Sequence, residues 1–160
     1  MTQVQWPAGH EPAGAKIYVV NYGNSAAPPE AVWQWLIRPD RWPDYYRNAR
    51  RVRSKNGPWP EIAIGSTFTW VTFNAPVTTT VTEFLPFTRL AWTGSGMGSV
   101  GHHAWVLEKT LEGGTRIVTE ETQRGRAVAL FRPVLKPRMQ SMHQLWVENL
   151  AKIAESTHRP

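Results

Sequence analysis

The chain has 160 residues, a formal net charge of +6, nine Trp and no Cys. That length fits one domain with a sizeable core, and the lack of Cys excludes disulfides and thiolate metal sites and suits a reducing, cytoplasmic setting. The positive balance permits an anionic partner without requiring one.

Residues 1–14 (MTQVQWPAGHEPAG) are rich in Pro, Gly and Ala and read as a flexible N-terminal arm. They carry neither the basic start nor the apolar run of a secretory signal. Residues 15–157 read as a single domain, with no repeat, heptad array or low-complexity tract inside it. Lys16–Tyr22 is β-branched and aromatic, a first strand. Pro28-Pro29-Glu30 opens a short helix with Val32, Trp35 and Leu36 on one face, and Pro39 stops it. A second short helix or turn holds Trp42-Pro43-Asp44-Tyr45. Arg50–Lys55 alternates as a strand with Val52 inward. Phe68–Phe73 and Val77–Leu85 read as strands joined through Asn74-Ala75-Pro76. Arg89–Thr93, Gly101–Thr110 and Thr115–Gln123 complete the set, with Gly94–Ser99 as a flexible loop.

Val134–Ser156 closes the chain as a long amphipathic helix. Met139, Met142, His143, Trp146, Leu150 and Ile153 recur at steps of three and four, placing them on one face. Pro133 and Pro137 sit at its start, and Arg126–Arg132 bridges into it or forms a bent first segment of it. The order describes an α+β domain: a curved antiparallel meander of about seven strands, two short helices after strand 1, and a long C-terminal helix across the inner face.

Strand parity points to a site. In Gly101–Thr110, Leu107 belongs to the core, so His103 and Trp105 follow it inward; in Thr115–Gln123 the matching set is Ile117, Thr119, Glu121 and Gln123. A sheet under a helix ordinarily puts apolar residues inside, and a buried carboxylate is costly unless paired. Glu121, His103 and Gln123 are therefore expected to line a wet or ligand-filled hollow, although a register slip of one residue exchanges Glu121 for Glu120. Trp70 and Trp92 are candidate walls or plain core. Met139, His143 and Trp146 lie on the helix face that closes the hollow, and Met suits an accommodating surface.

Other motifs lead nowhere. Gly96-Met97-Gly98-Ser99-Val100-Gly101 fits G-x-G-x-x-G but precedes a strand, so no helix N-terminus meets a phosphate. No Gly-x-Ser-x-Gly elbow is present. His102 and His103 project to opposite faces and His10 and His158 lie in the tails, so no metal site and no cofactor is expected. Arg47, Arg50, Arg51, Arg53 and Lys55, with Arg38 and Arg41, form a basic cluster; without a recognition helix or stacking platform, no nucleic-acid partner is expected. No run reads as a transmembrane segment, and a homodimer is left open.

Several strings, in this order, resemble the helix-grip superfamily often called SRPBCC, which includes START lipid-transfer domains, the birch-pollen allergen family and polyketide cyclase/dehydrase-like proteins. They are Pro29-Glu30-Ala31-Val32-Trp33, Trp42-Pro43-Asp44-Tyr45, Gly65-Ser66-Thr67-Phe68, Arg89-Leu90-Ala91-Trp92, His103 to Glu108, Gly114-Thr115-Arg116-Ile117 and the Gly125 junction. The resemblance spans about residues 16–156 and is closest to the polyketide cyclase/dehydrase-like branch. It implies a helix-grip domain over 15–157 with a cavity between sheet and C-terminal helix, and it sets Tyr45 near the mouth. Relatives often carry aromatics where Gln123 and His143 stand, so this cavity is expected to be more polar.

Together these readings describe a carrier or sensor for a small hydrophobic, planar or polycyclic ligand. Tyr45, Trp70, Trp92, Trp105, Met139 and Trp146 give apolar contact, and His103, Glu121, Gln123 and His143 orient polar groups. A polyketide cyclase/aromatase-like enzyme using Glu121, His103 and His143 is the competing reading, and an interaction module with a basic surface is the third.

Overall fold

The structure, a computed structural model, describes residues 3–158; the two residues at each end lie outside it, and with them the first part of the expected arm. Seven strands form one antiparallel sheet: β1 (Ile17–Ser25), β2 (Arg50–Asn56), β3 (Thr67–Thr72), β4 (Ala75–Leu85), β5 (Arg89–Gly96), β6 (Ser99–Lys109) and β7 (Thr115–Arg124). Their order across the sheet is β1-β7-β6-β5-β4-β3-β2. Helices α1 (Pro29–Leu36) and α2 (Trp42–Tyr45), with a 3-10 turn over Pro39–Arg41 between them, follow β1, and α3 (Arg126–Thr157) crosses the inner face.

Polar residues on β1 hold α3 in register. Asn21 Nδ2 donates to the Gln140 carbonyl at 2.9 Å, and Ser25 Oγ donates to that of Ala151 at 3.3 Å. In return Gln140 Nε2 and Gln144 Nε2 donate to the carbonyls of Val20 and Tyr22, at 2.7 and 3.0 Å. Gly23 leaves room for Val147, which a Cβ at that position would strike.

Two elements differ from the sequence reading. Arg126–Arg132 is the first segment of the helix, so Pro133 and Pro137 lie inside it rather than at its start. Each proline withholds one N–H from the helix ladder, but both lie on the exposed side, where solvent can take the freed carbonyls. The stretch Gly94–Ser99 is a tight hairpin: β5 runs through Gly96, and Met97 and Gly98 turn at positive φ (52° and 74°) into β6. Gly96 permits this because a Cβ there would collide with the Pro76 carbonyl of β4.

Both faces of β6 are buried. Its outer face meets the N-terminal arm: the Trp6 and His10 rings lie 5.6 and 5.5 Å from the His102 ring, and Thr122 Oγ1 donates to the His10 carbonyl at 2.8 Å. The inner space has two unlike ends. One is solid: Trp146 of α3 stacks on Tyr46 at 4.2 Å and packs edge-on against Trp42 and Trp105 at 4.9 and 5.0 Å. The other end is hollow.

Candidate ligand-binding cavity

The hollow arises where the sheet lacks side chains. Inward positions on β5 and β6 pair as Trp92↔His103 and then Gly94↔Gly101. Two missing side chains side by side leave a cavity of about 550 Å³ between the sheet and the first half of α3. Trp70, Val77 and Trp92 wall it on the sheet side, and Val128, Leu135 and Met139 on the helix side. Phe73 and Asn74, at positive φ in the β3–β4 hairpin, reach its lip, where the Arg138 guanidinium stands 5.9 Å from the Phe73 ring. Met97, Phe131 and Val134 line the same mouth and are largely exposed.

At the inner end three polar side chains converge. His103 (β6) and Glu121 (β7) are cross-strand partners, and His143 comes down from α3. They are 4%, 8% and 2% exposed, so water does not screen them. Glu121 Oε2 lies 3.1 Å from His103 Nδ1 and 3.2 Å from His143 Nε2. Its other oxygen, Oε1, accepts a hydrogen bond from Gln123 Nε2. The Thr119 hydroxyl donates its single proton to the Ala104 carbonyl at 3.0 Å. It can therefore only accept from His103, so the His103 Nε2–H donates to Thr119 Oγ1 at 2.7 Å. In the neutral ring this leaves the Nδ1 lone pair facing Glu121.

Burial dominates the electrostatics. It raises the Glu121 carboxyl to about 7, against a smaller lowering from the Gln123 bond. It lowers His143 to about 3, and it drives His103 well below the usual imidazole range, helped by the proximity of His143 and His102. Neutral imidazoles make these contacts hydrogen bonds rather than ion pairs. With both imidazoles neutral and the carboxyl raised, the consistent protonation has the acid proton on Oε2 facing His103 Nδ1, while His143 Nε2–H donates to the same oxygen.

The parity question is resolved: Glu121 faces inward, whereas Glu120 sits on the other face and accepts from the Tyr18 hydroxyl at 2.5 Å. Of the residues singled out in the sequence, Trp70, Trp92, His103, Glu121, Gln123, Met139 and His143 line the cavity. Trp105 and Trp146 are in the solid aromatic end, and Tyr45 is packed against the Trp35 ring at 5.9 Å, away from the hollow. Glycines 94 and 101 and the lip residues Phe73 and Arg138 also line the cavity and are not among the site residues singled out in the sequence. The inward parity of the two glycines, in step with Trp92 and His103, was a usable signal.

A curved antiparallel sheet closed by one long helix over a half-filled interior defines a helix-grip domain of the SRPBCC superfamily. Residues 24–155 match the family described as "Polyketide cyclase / dehydrase and lipid transport", and the chain belongs to that family. Membership supports hydrophobic ligand binding in general terms. A crystal structure of a hypothetical protein from Helicobacter pylori is similar over 96% of this chain and 97% of its own, at 26% identity and a TM-score of 0.89. The Zhui aromatase/cyclase from Streptomyces sp. R1128 aligns over 89% of this chain and 95% of its own, at 15% identity and a TM-score of 0.76. Ara h 8.0201 aligns over 87% and 97%, at 14% identity and a TM-score of 0.66. No curated protein sequence matches the chain significantly. Among the described residues no helix is long and apolar enough to cross a membrane.

Proposed function

We propose that the protein binds one small, largely apolar, planar or polycyclic molecule in the sheet–helix cavity. The observation that carries this reading is an apolar hollow of about 550 Å³ ending on a buried His103–Glu121–His143 cluster. That volume lies within the range of about 300–1,000 Å³ typical of small-molecule sites. Trp70, Trp92 and Met139 give flat and adaptable apolar contact, and Gln123, Glu121, His103 and His143 meet the ligand's polar atoms. Trp105, Trp146 and Tyr45 hold the frame. The test is saturable displacement of anilinonaphthalene sulfonate by polycyclic aromatic competitors, together with native mass spectrometry of the purified protein. The absence of both a retained mass and saturable probe binding would refute the reading.

One observation favours a second reading, a polyketide cyclase-like enzyme. A buried acid between two neutral imidazoles can give and take a proton beside an enclosed substrate. Glu121→Gln separates the two: an enzyme loses turnover while keeping affinity, and a carrier shows altered affinity only.

A further inference from the structure

The inner cluster gathers three groups that each present a lone pair once the acid proton leaves Glu121 and His143 carries its own proton on Nδ1, so ion binding releases one proton. Gln123 occupies Oε1 of Glu121, which leaves Oε2 for the two imidazoles. The relay His103 Nε2–H to Thr119 to the Ala104 carbonyl fixes the tautomer and turns the Nδ1 lone pair inward. A partner that holds the far ring nitrogen in this way is the arrangement found behind metal-ligating histidines. The three candidate ligand atoms lie within 4.8 Å of one another, all in buried residues. Two ligands at about 2.1 Å from one ion stand about 3.0 Å apart at right angles and about 3.4 Å apart at the tetrahedral angle; the two Glu121–His separations here, 3.1 and 3.2 Å, fall between.

We propose that His103 Nδ1, His143 Nε2 and Glu121 Oε2 form a binding site for one divalent first-row transition ion, with its remaining coordination positions open to the cavity. Two imidazoles and one carboxylate suit Zn²⁺, Fe²⁺ or Co²⁺ rather than Ca²⁺ or Mg²⁺, which prefer all-oxygen shells. The chain positions explain why no motif announces the site: each ligand comes from a different element. An ion here faces the hollow, so the cavity's occupant meets it through an oxygen donor such as a carbonyl, enolate or hydroxyl. This extends the proposed ligand class from apolar to apolar with one chelating oxygen end.

The test uses the full chain, freed of any purification tag and stripped with a chelator, titrated with Co²⁺ and then Zn²⁺. The Trp92, Trp105 and Trp146 rings lie 5.0, 5.4 and 5.6 Å from that of His103, so Co²⁺ at the site quenches tryptophan emission. The expected result is saturable quenching at one ion per chain, visible Co²⁺ bands, and displacement by Zn²⁺. Glu121→Gln and His143→Gln are expected to weaken binding by about 100-fold or more, and Thr119→Val by about tenfold through loss of the tautomer lock. His158→Ala leaves binding unchanged. Wild-type protein with no saturable quenching overturns the proposal without recourse to any variant, as does undiminished affinity in a folded Glu121→Gln. In either case a proton alone holds the cluster together. Probe displacement on the metal-stripped protein reads the apolar cavity separately, so failure of one proposal leaves the other to its own measurement.

Discussion

Gln123 of β7 lays its amide across the bare Cα of Gly101, its cross-strand partner on β6, and from there donates to Glu121 Oε1. A Cβ at position 101 would occupy the place of that amide. The glycine thus does two things at once: it opens the floor of the cavity and lets Gln123 claim one carboxyl oxygen. The other oxygen is then free for both imidazoles.

Gly101→Ala follows directly. Only the flexible end of Gln123 stands in the way of the new methyl group, so the fold should survive, with a melting temperature within a few degrees of wild type. Gln123 is displaced from Glu121, and affinity for an apolar probe falls by about tenfold, equivalent to about 1.4 kcal/mol. Thermal melts and probe titration check both halves; unchanged affinity would dissociate Gln123 from the site.

Trp146→Ala and Met139→Ala are expected to part company. Trp146 is fully buried in the solid aromatic end, and truncating it should cost about 3–5 kcal/mol in urea unfolding. Met139 lines the cavity, which is already hollow, so truncation enlarges an existing space and the cost should fall to the low end of the range of about 2–5 kcal/mol. Its main effect is on ligand affinity. Equal losses of stability would mean that the two ends of the interior are packed alike.

Glu121→Gln should preserve stability to within about 1 kcal/mol, because a neutral amide of the same shape replaces a neutral acid, still accepts from Gln123 and donates to His103 Nδ1 where the acid proton did. Glu121→Ala instead strands the Gln123 amide and His143 Nε2 and is expected to cost about 1–3 kcal/mol. Paired denaturant curves decide the sign of the difference.

The basic cluster has a structural explanation that gives its own prediction. β2 is a sheet edge, bulged between Arg50 and Arg53, and its charged side chains are exposed. Charges and bulges on an edge oppose pairing with another chain. Replacing Arg53 and Lys55 with Val should leave probe affinity unchanged and promote self-association, seen by light scattering. If Arg51→Glu with Arg53→Glu instead abolishes salt-sensitive capture on a polyanion, the interaction-module reading gains the support it lacks.

Much of this protein is legible in one dimension. Period-two alternation and turn residues establish the seven strands and the sequential pairing of β2 to β7, because short links leave antiparallel neighbours as the simplest closure; the pairing of β1 with β7 came with the structure. Parity aims His103, Glu121 and Gln123 inward, and the 3.6-residue period puts Met139, His143 and Trp146 on one helical stripe. Two things came only with the tertiary structure. One is where along α3 the interior is filled. Trp105 and Trp146 share their face with His103 and His143, and periodicity assigns a face but not a depth; Trp146 packs against Trp42 and Tyr46, and Trp105 against Trp146, which consigns both indoles to the core. The other is the meeting of His103, Glu121 and His143, which lie on three elements. Their convergence depends on the height at which α3 rests on the sheet, and that is set by Gly23, Asn21 and Ser25 on a strand far away in the chain.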